Sequence, residues 1–252
     1  MFRRICLAAV AAGLLAGVIV SLIQHFTTTP LILRAEEFER AGLPGTGGAA
    51  LAADAVVGTG APAHHDAGHD HGSATVSQAD ISQAEPAALL ERVLFTTLAD
   101  VLVGIGFALL VVAALAWNGG RNVRGWTGLC CGAAGFVVFT LAPSLGLAPE
   151  LPGLFAADLA ARQLWWFFAA VSAAVGLGLL AFAQRPILKV LGVVVALVPH
   201  VVGAPAPESV GGNVAPELAG QFAATSIAVS AVFWALLGWL SAVFYRRFDE
   251  SA

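Results

Sequence analysis

Residues 5–26 read ICLAAVAAGLLAGVIVSLIQHF, an apolar run that follows the basic pair Arg3 and Arg4. A helix of about 20 apolar residues crosses the roughly 30 Å hydrocarbon core of a bilayer. A signal peptide is the alternative interpretation, but its apolar core usually has only about 7–15 residues. The run therefore predicts a first membrane-spanning helix, which ends near Pro30 because proline disfavours helix continuation.

The composition extends this prediction to the whole chain. Of its 252 residues, 58% are hydrophobic and only 11% are charged, whereas about a quarter of residues are charged in soluble domains. We expect an all-α integral membrane protein with a single membrane domain over residues 1–252. Further apolar runs predict more transmembrane helices, giving about six in three consecutive hairpins with one long outer loop, residues 31–90. These runs cover about 93–117, 126–147, 164–182, 187–202 and 222–244.

The basic residues predict an orientation, since cytoplasmic loops carry an excess of Lys and Arg. Four basic residues are spread over the longer segments: Arg34, Arg40, Arg92 and Arg162. The others form pairs at the chain ends and in short loops: Arg3 and Arg4, Arg121 and Arg124, Arg185 and Lys189, Arg246 and Arg247. The pairs predict that both termini are cytoplasmic and that the long loop is outside, periplasmic or extracellular.

Residues 64–71 of the long loop gather the histidines. The tract holds four of the six histidines of the chain, interleaved with two aspartates: His64, His65, Asp66, His69, Asp70 and His71. Imidazole and carboxylate together suit divalent first-row metals, so we predict a metal-binding tract. A weak metal buffer is the alternative. The three cysteines lie in apolar runs and are interpreted as small hydrophobic residues.

Polar groups near membrane depth are costly and often functional. We predict that an ion path follows the polar residues at the outer helix ends: His25, Glu91, Glu150, Asp158, His200, Glu208 and Glu217. Helix capping is the alternative for Glu91, Asp158 and Glu217, because the helix dipole favours acids at helix starts. Asp100 is the one acid inside a predicted span. It either lies on the path or reaches toward the interface.

Two further patterns concern packing. The pairs Gly104 with Gly106 and Gly132 with Gly135 lie within apolar runs, where small residues let helices approach closely. Residues 31–40 predict a short amphipathic helix at the membrane surface. The chain has neither a P-loop nor a nucleophile–base arrangement, so we predict no enzyme, no nucleic-acid partner and no cofactor beyond a bound or transported metal ion.

Several segments together are similar to those of one protein family. They include the start MFRR, the His/Asp tract, ERVLFT at 91–96, LAPELPG at 147–153, ADLAARQLWW at 157–166, PHVVGAP at 199–205 and PELAGQF at 216–222. The whole chain resembles the CbtA family of predicted cobalt transporter subunits.

The resemblance implies cobalt uptake across a bacterial cytoplasmic (inner) membrane, which feeds cobalamin synthesis, alongside a small His-bearing, CbtB-like membrane subunit. Ni²⁺ and Zn²⁺ use the same imidazole and carboxylate ligands as Co²⁺, so the residues themselves leave the metal open. A membrane-anchored subunit that binds and delivers metal without transporting it is the alternative function. A homo-oligomer in the lipid bilayer also stays open.

Overall fold

The computed structural model describes residues 2–42, 78–117, 123–209 and 211–250, which are almost entirely helical. The predicted all-α class is confirmed. In chain order the helices are α1 (Phe2–Phe26), α2 (Thr28–Gly42), α3 (Gln78–Trp117), α4 (Gly125–Phe136), a π-helical turn (Val137–Leu141), α5 (Ala142–Ser144), α6 (Leu159–Phe182), α7 (Pro186–Val202) and α8 (Pro216–Glu250).

Within the described residues, five apolar segments are long enough to cross a bilayer. They are Phe2–Phe26, Leu90–Trp117, Gly125–Ser144, Leu159–Phe182 and Pro216–Phe248. The third of these combines α4, the π-helical turn and α5 into one continuous rod. The helix α7 is apolar but shorter, with 17 residues. The chain is therefore a multi-pass membrane protein.

Helices α1, α3, α4 and α8 pack together as a four-helix body. Its core contains large side chains with almost no exposure, including Val112, Leu115, Leu237 and Tyr245. At one end, the Arg4 Nε donates a hydrogen bond of 2.9 Å to the carbonyl oxygen of Tyr245. The Arg4 guanidinium also lies 3.7 Å from the centre of the tyrosine ring. The start of α1 is thus fastened to the end of α8.

Glycines set the helix spacing within the body. A Cβ on Gly17 of α1 would lie 2.6 Å from the Cα of Val101 in α3, and Gly13 meets the backbone at Gly104. On the other side, Gly132 of α4 meets the carbonyl of Trp234 in α8. The packing predictions for Gly104 and Gly132 are confirmed. Nothing lies within 4 Å of a Cβ built on Gly106, so its predicted packing role is wrong within the described residues.

Helices α6 and α7 form a second unit, the α6–α7 pair, through the reciprocal contact of Gly176 and Gly192. The pair touches the body through α6, which packs on the π-helical turn and α5. The first predicted hairpin, α1 with α3, is observed. In the third predicted hairpin, α7 packs mainly on α6, while α8 packs on α4 and α1. Small-residue surfaces, rather than order along the chain, decide these neighbours.

Helix α2 and the loops before α6 and α8 contact one another at one end of the molecule. The apolar face of α2 buries Ala35 against Leu151 and Val214, which confirms the predicted amphipathic helix. Glu36 on its polar face forms an ion pair with Arg92 of α3, with an oxygen–nitrogen distance of 2.8 Å. The Asn213 N–H donates to the Gly153 carbonyl at 3.0 Å. This bond joins the loop before α6 to the loop before α8.

Candidate functional site

The site is built around an irregular turn in the third apolar rod. Pro143 lacks an N–H, and a proline ring in a regular α-helix would clash with the carbonyl four residues earlier, here that of Phe139. The helix widens into the π-helical turn Val137–Leu141. The Ala142 N–H donates to the carbonyl of Val137, five residues earlier, rather than to that of Val138 as in an α-helix. Such π-bulges frequently occur at functional sites. Here the turn presents Phe139 and Thr140 to a cavity.

This inner cavity has a volume of about 370 Å³ and lies between α1, α2, α3, the π-helical turn and α8. Its polar lining comes from residues on all five elements: Gln24, Thr28, Asp100, Thr140, Ser226 and Ser230. Its apolar lining includes Phe107, Phe139 and Trp234. A polar cavity inside a membrane bundle is the environment in which intramembrane ionisable groups are usually found.

Among the described residues that line the inner cavity, Asp100 is the one carboxylate. The Gln24 side chain interacts with this carboxylate. Its Oδ2 atom is buried and has no hydrogen-bond partner in the part of the chain that the structure describes. Asp100 lies eight residues along α3 from Arg92, the nearest preceding charged residue, which is about 12 Å at 1.5 Å rise per residue. The carboxylate therefore lies about two turns inside the apolar part of α3.

Aromatic rings close one side of the inner cavity. Phe139 stacks on Trp234 with a centroid distance of 5.7 Å and an interplanar angle of 7°. Phe107 contacts the same indole at 4.8 Å. The Trp234 Nε1 donates to the Thr140 Oγ1 at 3.2 Å. This bond to α8 holds the Thr140 hydroxyl in place. The ring cluster forms a firm apolar wall opposite the polar groups.

A second cavity of about 390 Å³ lies on the other side of this wall, and Phe139 and Thr140 line both cavities. It contains Glu150 and Arg162, which form an ion pair with a nitrogen–oxygen distance of 2.8 Å. The Phe139 ring also stacks on Trp166 of α6 at 6.4 Å. The π-helical turn is therefore the partition between a cavity in the body and one beside the α6–α7 pair.

Two other predicted path residues share a groove. Asp158 and Glu208 both line a groove of about 490 Å³ between the loops that flank the α6–α7 pair. Asp158 is also the N-cap of α6 and accepts a hydrogen bond of 2.9 Å from the Ala161 N–H. Its side chain therefore has the capping role that was considered from the sequence.

The remaining predicted path residues are not brought to either cavity. His25, Glu91 and Glu217 are exposed, and His200 lies edge-on to Trp165 with a centroid distance of 5.9 Å. Among the described residues, no group of three or more His, Cys, Asp and Glu side chains could hold a metal ion. The predicted metal ligands in residues 64–71 lie outside the described residues.

Sequence reasoning identified Asp100 but not the rest of the cavity lining. Ser226 and Ser230 are four residues apart in α8, a spacing that places two hydroxyls on one helix face. Pro143 signalled a disturbed turn at Phe139 and Thr140. Gln24 and Thr28 show the same spacing across the junction of α1 and α2. Only the arrangement of the helices shows that these residues belong to one site.

Comparison with curated proteins and with solved structures gave no match. Comparison with family models gave a match over residues 2–246 to the family described as "Probable cobalt transporter subunit (CbtA)". The match covers nearly the whole chain, including every element that lines the inner cavity. The chain therefore belongs to the CbtA family of probable cobalt transporter subunits.

Proposed function

We propose that this chain carries a divalent transition-metal ion, most simply Co²⁺, across the membrane, and that the inner cavity forms part of the route. The observation that supports this proposal is the Asp100 carboxylate, one oxygen of which is buried in the bundle without a hydrogen-bond partner among the described residues. Burying an unpaired charge in a membrane is costly. A cation that passes beside the carboxylate compensates this cost, because opposite charges attract strongly where the dielectric constant is low.

The distribution of charge around Asp100 favours a cation over an anion. No Lys, Arg or His lines the inner cavity in the described part of the chain. The Gln24 amide supports the carboxylate without neutralising it. The hydroxyls of Thr140, Ser226 and Ser230 offer further oxygen acceptors in the same cavity. The site would therefore attract positive charge and repel anions.

We also propose the direction of transport and the steps outside the inner cavity. The basic pairs support cytoplasmic termini, which would leave residues 64–71 outside to concentrate metal. The exposed acids and histidines at the outer ends of the helices would raise the cation concentration there. Glu150 would contribute little to this effect, because Arg162 already neutralises its charge.

The identity of the ion and its use extend the proposal. The family description supports cobalt, and uptake would then feed cobalamin synthesis. Ni²⁺ and Zn²⁺ are the other candidates, because they share ligand chemistry with Co²⁺. The word subunit in the family description supports a partner in the membrane, for which a small His-bearing, CbtB-like protein is our candidate.

The proposal is tested with the purified full chain in liposomes that contain a metal-quenched dye. Asp100→Asn removes the charge and keeps the shape of the side chain, so we expect initial Co²⁺ influx to fall at least about tenfold, which is about 1.4 kcal/mol. Glu37→Gln is the matched control, because Glu37 is an exposed carboxylate on α2 and should leave influx unchanged. Equal influx in the wild type and the Asp100 variant would remove the cavity from the route. Absence of influx in the wild type would favour a subunit that only binds and delivers metal.

A further inference from the structure

The chemistry of the cavity lining indicates the form in which the ion is held. Every polar side chain that lines the inner cavity presents oxygen, or in Gln24 a carboxamide, and none presents imidazole or thiolate in the described residues. Nitrogen and sulfur ligands are the groups that bind borderline transition metals directly and tightly. Cys130 lies in a separate groove with Trp126. The inner cavity therefore lacks the ligands for direct capture of Co²⁺.

The number of charged ligands leads to the same conclusion. Asp100 is the single carboxylate in the lining, and no cluster of three metal-binding side chains occurs among the described residues. Stripping the water shell from a divalent ion is costly, and ions with few protein ligands keep several of their waters. One carboxylate and a few neutral hydroxyls do not replace six waters.

The size of the inner cavity suits an ion with its water shell. A water molecule occupies about 30 Å³ in the liquid, so six waters around a small ion need about 180 Å³. The cavity volume of about 370 Å³ accommodates this complex with space for movement.

We propose that the inner cavity binds a divalent cation as its hexaaqua complex, through hydrogen bonds from the metal-bound waters to Asp100 and to the hydroxyls of Thr140, Ser226 and Ser230. This inference rests on the proposed function and specifies the state of its substrate. Metal-bound waters are strong donors, and carboxylate, hydroxyl and amide oxygens are acceptors. Recognition through water depends on charge and hydrated size, so this cavity distinguishes Co²⁺ poorly from Ni²⁺ or Mg²⁺.

Hexaamminecobalt(III) tests this inference, because it has the size and donor arrangement of a hexaaqua ion and does not release its ligands. In the liposome assay we expect it to inhibit Co²⁺ influx at concentrations within tenfold of the Co²⁺ that gives half-maximal influx. We expect Mg²⁺ to compete within the same range. Normal Co²⁺ influx with no inhibition by a hundredfold excess of hexaamminecobalt(III) would overturn the inference and leave the proposed function intact.

A binding measurement decides the inference independently of transport. Equilibrium dialysis of hexaamminecobalt(III) against the full chain in detergent should show saturable binding that weakens at least tenfold in Asp100→Asn and is unchanged in Glu37→Gln. If the wild-type chain carries no Co²⁺ influx, the proposed function fails, and saturable binding that depends on Asp100 still supports a site for hydrated cations. Absence of such binding overturns the inference in either case.

Discussion

The four-helix body and the α6–α7 pair are both held together by close glycine contacts between helices, but they differ in the cavities that they line. In both, a glycine on one helix faces backbone of its neighbour, as Gly13 faces α3 and Gly176 faces Gly192. Among the described residues, the cavity lined by a carboxylate with a buried, unpartnered oxygen belongs to the body. Close helix packing is therefore common to both regions, whereas this carboxylate cavity is a feature of the body.

The exposed apolar surface of α7 adds to this comparison. Helix α7 leaves most of its apolar side chains uncovered, and Val201 is 86% exposed. A helix that is apolar on its outer face in a multi-pass membrane protein is suited to contact lipid. Changes in the α6–α7 pair should then affect stability more than transport, while changes in the body should affect both.

The largest effect is expected for Gly13→Val in the body. A Cβ at this position meets the backbone of Gly104 and Ile105, so α1 and α3 must separate and the lining of the inner cavity is disturbed. We expect a loss of about 3 kcal/mol in the free energy of unfolding and loss of Co²⁺ influx. Thermal unfolding in detergent and the liposome assay measure the two quantities. Gly106→Val is the control, since no atom lies within 4 Å of its Cβ, and equal losses in both variants would refute the packing explanation.

A smaller effect is expected for Gly176→Val in the α6–α7 pair. Its Cβ would lie 2.6 Å from the Gly192 carbonyl oxygen and 2.8 Å from the Ala196 Cβ, which destabilises the pair by about 2 kcal/mol. Because this contact is remote from the inner cavity, Co²⁺ influx per folded molecule should stay within twofold of wild type. Gly178→Val, which meets no neighbour within 4 Å, provides the baseline for unfolding. A tenfold loss of influx in the Gly176 variant would contradict the division of roles.

The smallest effect is expected where the two regions meet. Glu150 and Arg162 are each about one-third exposed, and partly exposed ion pairs usually contribute about 0–1 kcal/mol. Glu150→Gln should therefore lower the unfolding free energy by less than about 1 kcal/mol and reduce influx less than twofold. The reciprocal exchange Glu150→Arg with Arg162→Glu should restore any loss. A tenfold fall in influx for Glu150→Gln would extend the ion route into the second cavity.

The sequence was sufficient for the fold class and the family, and for one residue of the site. Apolar runs and few charges require helices in a membrane, and Asp100 is conspicuous because a carboxylate in such a run is costly. The amphipathic α2 was also readable, since Leu31 and Ala35 are four residues apart and both are buried.

The partners of Asp100 could not be read in the same way. Gln24 and Ser230 are common polar residues near or within apolar runs, and only the packing of α1 and α8 on α3 brings them to one cavity. The packing of α7 on α6 and of α8 on α4 was not predicted from the sequence either. Gly128 and Gly132 in α4 and Gly238 in α8 explain why, because these positions permit a closer contact between α4 and α8 than sequence order suggests.

The contact of Arg4 with Tyr245 bears on the number of times that the chain crosses the membrane. Among the described residues, five apolar helices are long enough to cross a bilayer, and an odd number of traverses would place Arg4 and Tyr245 on opposite sides rather than in contact. We therefore predict that the short α7, about 26 Å long at 1.5 Å per residue, is a sixth traverse. Reporters fused before Arg4 and after Tyr245 should accordingly report the same compartment.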